Sequence, residues 1–302
     1  MKKFSVTIGI PTFEANSSIA LTLNSIYDQE LFHSIYELVL LVDGGHISSL
    51  TLQKIVNPKL KIIYVKNRVG QAASINRILK NNTSQLLILT NDDVIWEKNT
   101  LEKLIKEFKK SKTDLISACV RPLPTTNLYE KIIQLGSQIG HSISLSWKRG
   151  DNYLACNGRL IALSSRLTKK IILPKKLWNN DAFIFIINHL LGFKYKHVED
   201  AVCYYKSPGT ITEYHNQSIK FQNSQKENQA FFKSDISSFY KIPTILIFLS
   251  LWKIMKKRPI CMLLYFIIYL IGKFKSLREI DKFPERDFWE TDKSTKILPY
   301  AD

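Results

Sequence analysis

Leu86-Leu87-Ile88-Leu89-Thr90-Asn91-Asp92-Asp93 is a short apolar run that ends in an amide and two carboxylates. Four aliphatic residues with no polar alternate read as a strand buried on both faces. Such a strand needs neighbours of its own kind and helices above and below. Val6–Ile10 (stopped by Pro11), Glu37–Val42 (ending in Asp43-Gly44-Gly45), Lys61–Val65 and Leu115–Val120 supply further strands. Ser17–Asp28, with Ile19, Leu23 and Ile26 on one face and Asn16 or Ser17 as N-cap, reads as a helix. Gly70–Lys80 and Asn99–Lys110 read as two more. Strands alternating with helices predict βαβ units: an α/β chain whose mostly parallel sheet is covered on both faces.

In open sheets of this kind ligands sit beyond the carboxyl ends of the strands. Pro11-Thr12-Phe13-Glu14 follows the first strand, Asp43 the second, Asn67-Arg68-Val69-Gly70 the third and Asn91-Asp92-Asp93 the fourth. Three of these ends carry a carboxylate, and all are expected on one rim. Taken singly each acid has an ordinary explanation: Asp43 and Asn91-Asp92-Asp93 as turn formers, Glu14 as a helix N-terminal residue. It is their regularity that favours a site.

The chain has 302 residues, 45% hydrophobic and 23% charged, which excludes a wholly disordered polymer. Its formal charge is +17, which suits an anionic partner: a nucleotide-linked substrate, an acidic membrane surface or nucleic acid. No nucleic-acid motif accompanies the charge, so no nucleic-acid partner is expected. Cys119, Cys156, Cys203 and Cys261 form no CxxC pair, which argues against a zinc site and favours a reducing cytoplasm. Met1-Lys2-Lys3 runs into an apolar stretch too short and too β-branched for a signal-peptide core.

Past residue 240 the composition changes. Residues 1–230 read as the sheet domain and 231–302 as a C-terminal helical region and tail. Ile242–Trp252 and Pro259–Gly272 are apolar runs separated by Lys253, Lys256, Lys257 and Arg258. Each is shorter than the ~20 residues of a membrane-spanning helix. A hairpin lying in the interface, its basic turn near anionic headgroups, is the expectation, with a pair of core helices as the alternative.

Taken together, Ile10-Pro11-Thr12-Phe13-Glu14, Val42-Asp43-Gly44-Gly45, Asn67-Arg68-Val69-Gly70 with Asn76, Leu89-Thr90-Asn91-Asp92-Asp93 and Asn180-Asp181 resemble, in order and spacing, the family 2 glycosyltransferases. The resemblance covers roughly residues 4–222 and implies a GT-A fold and an inverting enzyme using a nucleotide-diphosphate sugar, UDP-linked by expectation. The acceptor would be a saccharide or a lipid-linked group, and the place the cytoplasmic face of the cell membrane, peripherally bound. The acidic segment resembles the family's Asp-x-Asp metal motif, with Thr90 in the first position and Asp92 in the second. That implies Mg²⁺ or Mn²⁺ on Asp92 and Asp93. Carboxylate oxygens suit either ion, and a divalent cation neutralises a departing diphosphate.

The resemblance also implies nucleotide-sugar contacts from Pro11, Thr12, Glu14, Asp43, Arg68, Gly70, Asn76, Asn91 and Asp92. It makes Asp181 the general base that takes the acceptor's proton, with Asn180 where relatives have a first acid and Trp178 beside the acceptor. A helix N-cap before Ala182–Leu191 explains Asp181 as well. Gln217-Ser218-Ile219-Lys220-Phe221 is similar to the family's Gln-x-x-Arg-Trp segment, and His215 is either a phosphate contact or a surface histidine. The departures at Thr90, Asn180 and Lys220-Phe221 leave a non-catalytic, GT-A-like binding or scaffold protein as the alternative.

Overall fold

A computed structural model describes residues 4–13, 17–279 and 294–298. Its first half follows the sequence pattern closely. Strands β1 (Val6–Thr12), β2 (Glu37–Asp43), β3 (Leu60–Val65) and β4 (Leu86–Thr90) lie parallel in the order β3-β2-β1-β4. Helices α1 (Ser17–Tyr27), α2 (Ser49–Ile55) and α3 (Gln71–Asn81) connect them. The strands alternate as a two-sided sheet must. Leu38, Leu40, Leu86 and Ile88 pack into one apolar cluster, while Leu41, Leu87 and Leu89 pack into the other. The chain steps outward from β1 to β3 and then returns to β4 on the far side of β1. That reversal is the switch point at which such sheets open a crevice.

The second half departs from simple βαβ alternation. After β5 (Val94–Trp96) and α4 (Thr100–Ser111), β6 (Leu115–Pro122) does not pair with β4. Past α5 (Leu128–Ser146), β7 (Leu160–Ser164) inserts between β4 and β6, antiparallel to both. After α6 (Ser165–Thr168) and α7 (Asn180–Leu190), β8 (Tyr195–Tyr205) runs parallel to β6, and β5 closes the edge antiparallel to β8. The sheet is therefore mixed. Antiparallel β7 starts where β4 ends, with Leu160 opposite Thr90, so the Asn157-Gly158-Arg159 loop is delivered to the same rim as Asn91-Asp92-Asp93.

The remaining helices are α8 (Ile211–Phe231), α9 (Thr244–Lys257) and α10 (Pro259–Glu279). The α9–α10 hairpin is not a pair of core helices. One side packs on α5 through Ile247, Leu251, Ile254, Met262 and Tyr265 against Ile139 and Ile143. On the other side Ile245, Phe248, Leu249, Trp252 and Met255 of α9, and Ile260, Leu263, Leu264, Ile267, Ile271 and Phe274 of α10, are exposed at helical spacing.

Asp114, at the head of β6, ties the antiparallel half together. Its carboxylate accepts from Ser164 Oγ at 2.9 Å, Arg166 Nε at 2.9 Å, Arg166 Nη2 at 2.6 Å and the Lys194 N–H at 3.2 Å. Burial would raise its pKa, but the bonds from Arg166, Lys194 and Ser164 outweigh burial and hold it below the ordinary carboxylate value. We expect Asp114→Ala to lose ~1–3 kcal/mol at neutral pH, read from the urea midpoint. A lowered pKa means stabilisation that is present above the unfolded carboxylate range and lost as pH falls through the folded value. The gap between variant and wild type should therefore close in acid; an unchanged midpoint at neutral pH contradicts this role.

Candidate active site

The carboxyl ends of β1, β2 and β4 enclose a cavity of about 240 Å³ together with the 157–159 loop, the first turn of α7, one face of α8 and the segment Thr295-Lys296. Pro11, Thr12, Asp43, Arg68, Gly70, Asn91, Asp92, Asp93, Asn180 and Asp181 all line it. Residues separated by the whole length of the sheet domain thus meet in one place.

Asp43 is buried, and its carboxylate closes the loop after β3 onto the end of β2. The Val69 N–H donates to Oδ1 at 2.7 Å and the Gly70 N–H to Oδ2 at 2.8 Å. The turn that follows requires glycine. Gly44 has φ +75°, and a Cβ on Gly45 would lie 2.0 Å from the Phe13 carbonyl oxygen. This close approach lets Arg68 lie over the Phe13 ring, its Cζ 3.8 Å from the ring centroid, with the guanidinium on the cavity wall.

At the end of β4, Thr90 is buried. Its hydroxyl donates to the Arg159 carbonyl at 2.8 Å and accepts from the Trp96 indole at 3.2 Å. The residue at the motif's first position is thus a brace between β4 and the 157–159 loop. Asp92 and Asp93 are both buried. Asp92 Oδ2 accepts from the Thr12 hydroxyl, and its carbonyl accepts from Thr22 Oγ1 at 3.1 Å. The Lys296 ammonium pairs with Asp92 Oδ1 and lies 3.2 Å from Asp93 Oδ2. Burial raises the Asp92 pKa, with Asp93 adding to the rise and Lys296 opposing it. Burial would also lower the Lys296 ammonium, yet the two carboxylates outweigh it and hold that group above the ordinary lysine range.

Among the described residues no cluster of three or more His, Cys, Asp or Glu side chains could hold a metal on protein ligands alone. The Asp92–Asp93 pair nonetheless fits Mg²⁺ or Mn²⁺. The donors are carboxylate oxygens, Asp93 Oδ1 is buried without a hydrogen-bond partner, and such ions routinely take one or two carboxylates and complete their shell with phosphate and water.

Asp181 lies in the first turn of α7, inside the helix. The N-cap is Asn179, and the Ala182 N–H donates both to its side chain at 3.4 Å and to Asp181 Oδ1 at 3.0 Å, so Asp181 shares in satisfying the helix start. Its other oxygen, Oδ2, accepts from the Gly158 N–H at 2.9 Å, and the carboxylate lines the cavity. Beside it Asn180 donates to Gln71 Oε1 at 3.2 Å, while its own Oδ1 is buried without a partner. Glu227 of α8 sets this turn from behind, accepting the N–H groups of Trp178 at 2.6 Å and Asn179 at 3.1 Å. Burial pushes the Glu227 carboxyl up.

Three expectations need correction. Asn76 does not reach the cavity: its amide donates to the Leu173 carbonyl and accepts from the Leu173 N–H, each at 2.8 Å, and so clamps α3 to the 171–174 loop. Trp178 is buried behind the cavity wall and offers no ring face to a sugar. His215 is neither a phosphate contact nor a surface residue; it is buried in α8 under Gly272 of α10. Glu14 lies outside the described residues. Conversely, Gln71, Arg159 and Lys296 line the cavity, although nothing in their local sequence marks them. Gln217, Lys220 and Phe221 do face it, as the Gln-x-x-Arg-Trp likeness implies.

Solved structures with the same architecture include the mannosyltransferase PcManGT from Pyrobaculum calidifontis, in complex with GDP-Man and Mn²⁺. It is 16% identical, with a TM-score of 0.57 over 93% of this chain and 79% of that one. Glucosyl-3-phosphoglycerate synthase from Mycobacterium tuberculosis, in complex with Mn²⁺, UDP and phosphoglyceric acid, is 13% identical at a TM-score of 0.52, covering 73% and 76%. S. aureus TarS (residues 1–349) is 16% identical at 0.50, covering 74% and 69%. No curated protein matches the chain in sequence. These likenesses show a GT-A fold. The sequence profile of the family described as "Glycosyl transferase family 2" matches residues 7–171, the span that carries Asp43, Arg68 and Asp92. The chain therefore belongs to glycosyl transferase family 2.

Proposed function

We propose that this glycosyltransferase moves one sugar, with inversion, from a nucleoside-diphosphate donor to a hydroxyl of a saccharide or lipid-linked acceptor at a membrane surface. UDP is the nucleotide we favour, and the divalent ion is Mg²⁺ or Mn²⁺. The observation that carries this reading is that the Asp92–Asp93 pair and the Asp181 carboxylate share one cavity, with Arg68, Arg159 and Lys220 on its walls. An acid pair with cations suits a diphosphate, and a carboxylate on the same cavity suits an acceptor's proton.

The chain's own groups divide the work. Arg68, Arg159 and Lys220 offset phosphate charge, and Asn180 Oδ1 offers an acceptor to a sugar hydroxyl. Asp181, held by Gly158, takes the proton as the acceptor oxygen bonds to the anomeric carbon and the carbon–oxygen bond to the diphosphate breaks. A single displacement inverts the anomeric centre. Asp92 and Asp93 would hold the divalent ion, which supplies Lewis-acid neutralisation of the leaving diphosphate.

Membrane association is supported by the outward stripe of α9 and α10, beside Lys253, Lys256, Lys257 and Arg258. By length and composition Ser237–Lys257 is apolar enough to cross a membrane, and little of it is buried. The continuous helix α9, however, has 14 residues, about 21 Å against a hydrocarbon core of about 30 Å. A hairpin lying in the interface fits these lengths, with its basic turn favouring the anionic cytoplasmic leaflet.

Asp181→Asn keeps size and shape but removes the charge. We expect transfer to fall ~10²–10⁴-fold with nucleotide affinity nearly unchanged. Near-normal turnover, or a large loss of nucleotide affinity, contradicts the role of base. For the membrane, Phe248→Glu combined with Leu263→Glu should abolish flotation with anionic vesicles while thermal stability and nucleotide binding persist. Unchanged flotation removes the hairpin from the lipid surface.

A further inference from the structure

The segment Ser294–Leu298 reaches the cavity from the far end of the chain, and its Lys296 touches the acid pair where a metal ion belongs. It is fastened at two points. The Ser294 N–H donates to Glu213 Oε1 at 2.9 Å, the Ser294 hydroxyl donates to Glu213 Oε2, and that hydroxyl accepts from the Gly209 N–H at 2.8 Å. Thr295 and Leu298 are buried on either side of Lys296, whose own side chain is 17% exposed.

The ammonium and a divalent ion cannot share this place. Asp92 Oδ2 is taken by Thr12, Asp92 Oδ1 and Asp93 Oδ2 are taken by Lys296, and only Asp93 Oδ1 has no hydrogen bond. A metal bridging the two carboxylates needs an Asp92 oxygen, and the one not bonded to Thr12 is held by Lys296. The charges are also unequal: one ammonium leaves one of the two carboxylate charges uncompensated, whereas a divalent ion offsets both and adds coordination sites for phosphate. Removing the ammonium with nothing in its place would strand buried charge, which is strongly unfavourable.

Resting on the donor-site reading above, we propose that Ser294–Leu298 is an internal competitor for the donor site. Its Lys296 holds the Asp92–Asp93 pair until a divalent cation, arriving with the nucleoside diphosphate, displaces it. The tail then keeps one counter-charge on the acid pair without metal, and makes metal and donor binding mutually dependent.

The test is Mn²⁺ binding to the full chain without nucleotide, followed by the loss of the free-ion paramagnetic resonance signal. Lys296→Met should bind Mn²⁺ more tightly than wild type by ~5–150-fold, the usual span of coupling between sites. Lys296→Arg, which keeps the charge, should stay close to wild type. Equal or weaker binding by Lys296→Met overturns the proposal. Because that variant removes the counter-charge from a buried acid pair, a second measurement uses wild type alone. Amide exchange across 294–298 should accelerate when Mn²⁺ and UDP are added, since the Ser294 N–H loses its bond to Glu213; unchanged or slower exchange overturns the proposal. If wild type binds no Mn²⁺ even with UDP or GDP, the metal reading itself fails and takes this inference with it. If Asp92-dependent Mn²⁺ binding occurs with nucleotide but Lys296→Met gains nothing, only the competitor role fails.

Discussion

Asp92 and Asp93 sit buried at the end of a strand that is apolar on both faces, and the surrounding structure answers the need to compensate their charge. Removing a carboxylate from water costs several kcal/mol unless hydrogen bonds and counter-charges replace hydration. The Thr12 hydroxyl reaches across from β1, Thr22 of α1 fixes the Asp92 carbonyl, and Lys296 supplies the positive charge. These contacts exist because β1 and β4 are neighbours on either side of the chain reversal, which places two strand ends and a helix within reach of one carboxylate. The rim therefore carries an acid pair that a cation can bridge, with basic side chains on the walls of the same cavity.

The opposite wall depends on the antiparallel insertion of β7. Without it the loop at Asn157-Gly158-Arg159 would not stand beside β4, and Asp181 would lose the N–H that orients it. Glu227 fixes the start of α7 from behind through two backbone bonds, so the candidate base rests on α8 as well as on its own helix. The α9–α10 hairpin packs on α5 and α8, which joins the outward apolar stripe to the helix that presents Gln217, Lys220 and Phe221. The outward apolar stripe and the cavity are thus joined through packed helices.

Much of this was legible from local pattern. The four parallel strands announce themselves because burial on both faces demands unbroken aliphatic runs, and their polar ends mark the rim that holds Asp43, Arg68 and Asp92. The second half is harder, for a physical reason: β7 is five residues of ordinary apolar sequence whose place between β4 and β6 is set by tertiary pairing. In β8 the pairing jumps from Val198 to Val202, so Glu199 and Asp200 fall in a bulge and break the strand pattern. Asn76 misleads because an amide on a helix beside the site suits a ligand and a backbone clamp equally. Lys296 lies 204 residues from Asp92 in sequence, and nothing in Ser-Thr-Lys-Ile-Leu signals where its ammonium goes.

The most direct test is an anomalous difference map from crystals of the full chain grown with Mn²⁺ and a nucleoside diphosphate. The account expects one strong manganese peak between the Asp92 and Asp93 carboxylates, with the diphosphate on it and the base lying toward Asp43. A nucleotide bound elsewhere, or one seated in this cavity with no manganese at the acid pair, would contradict it.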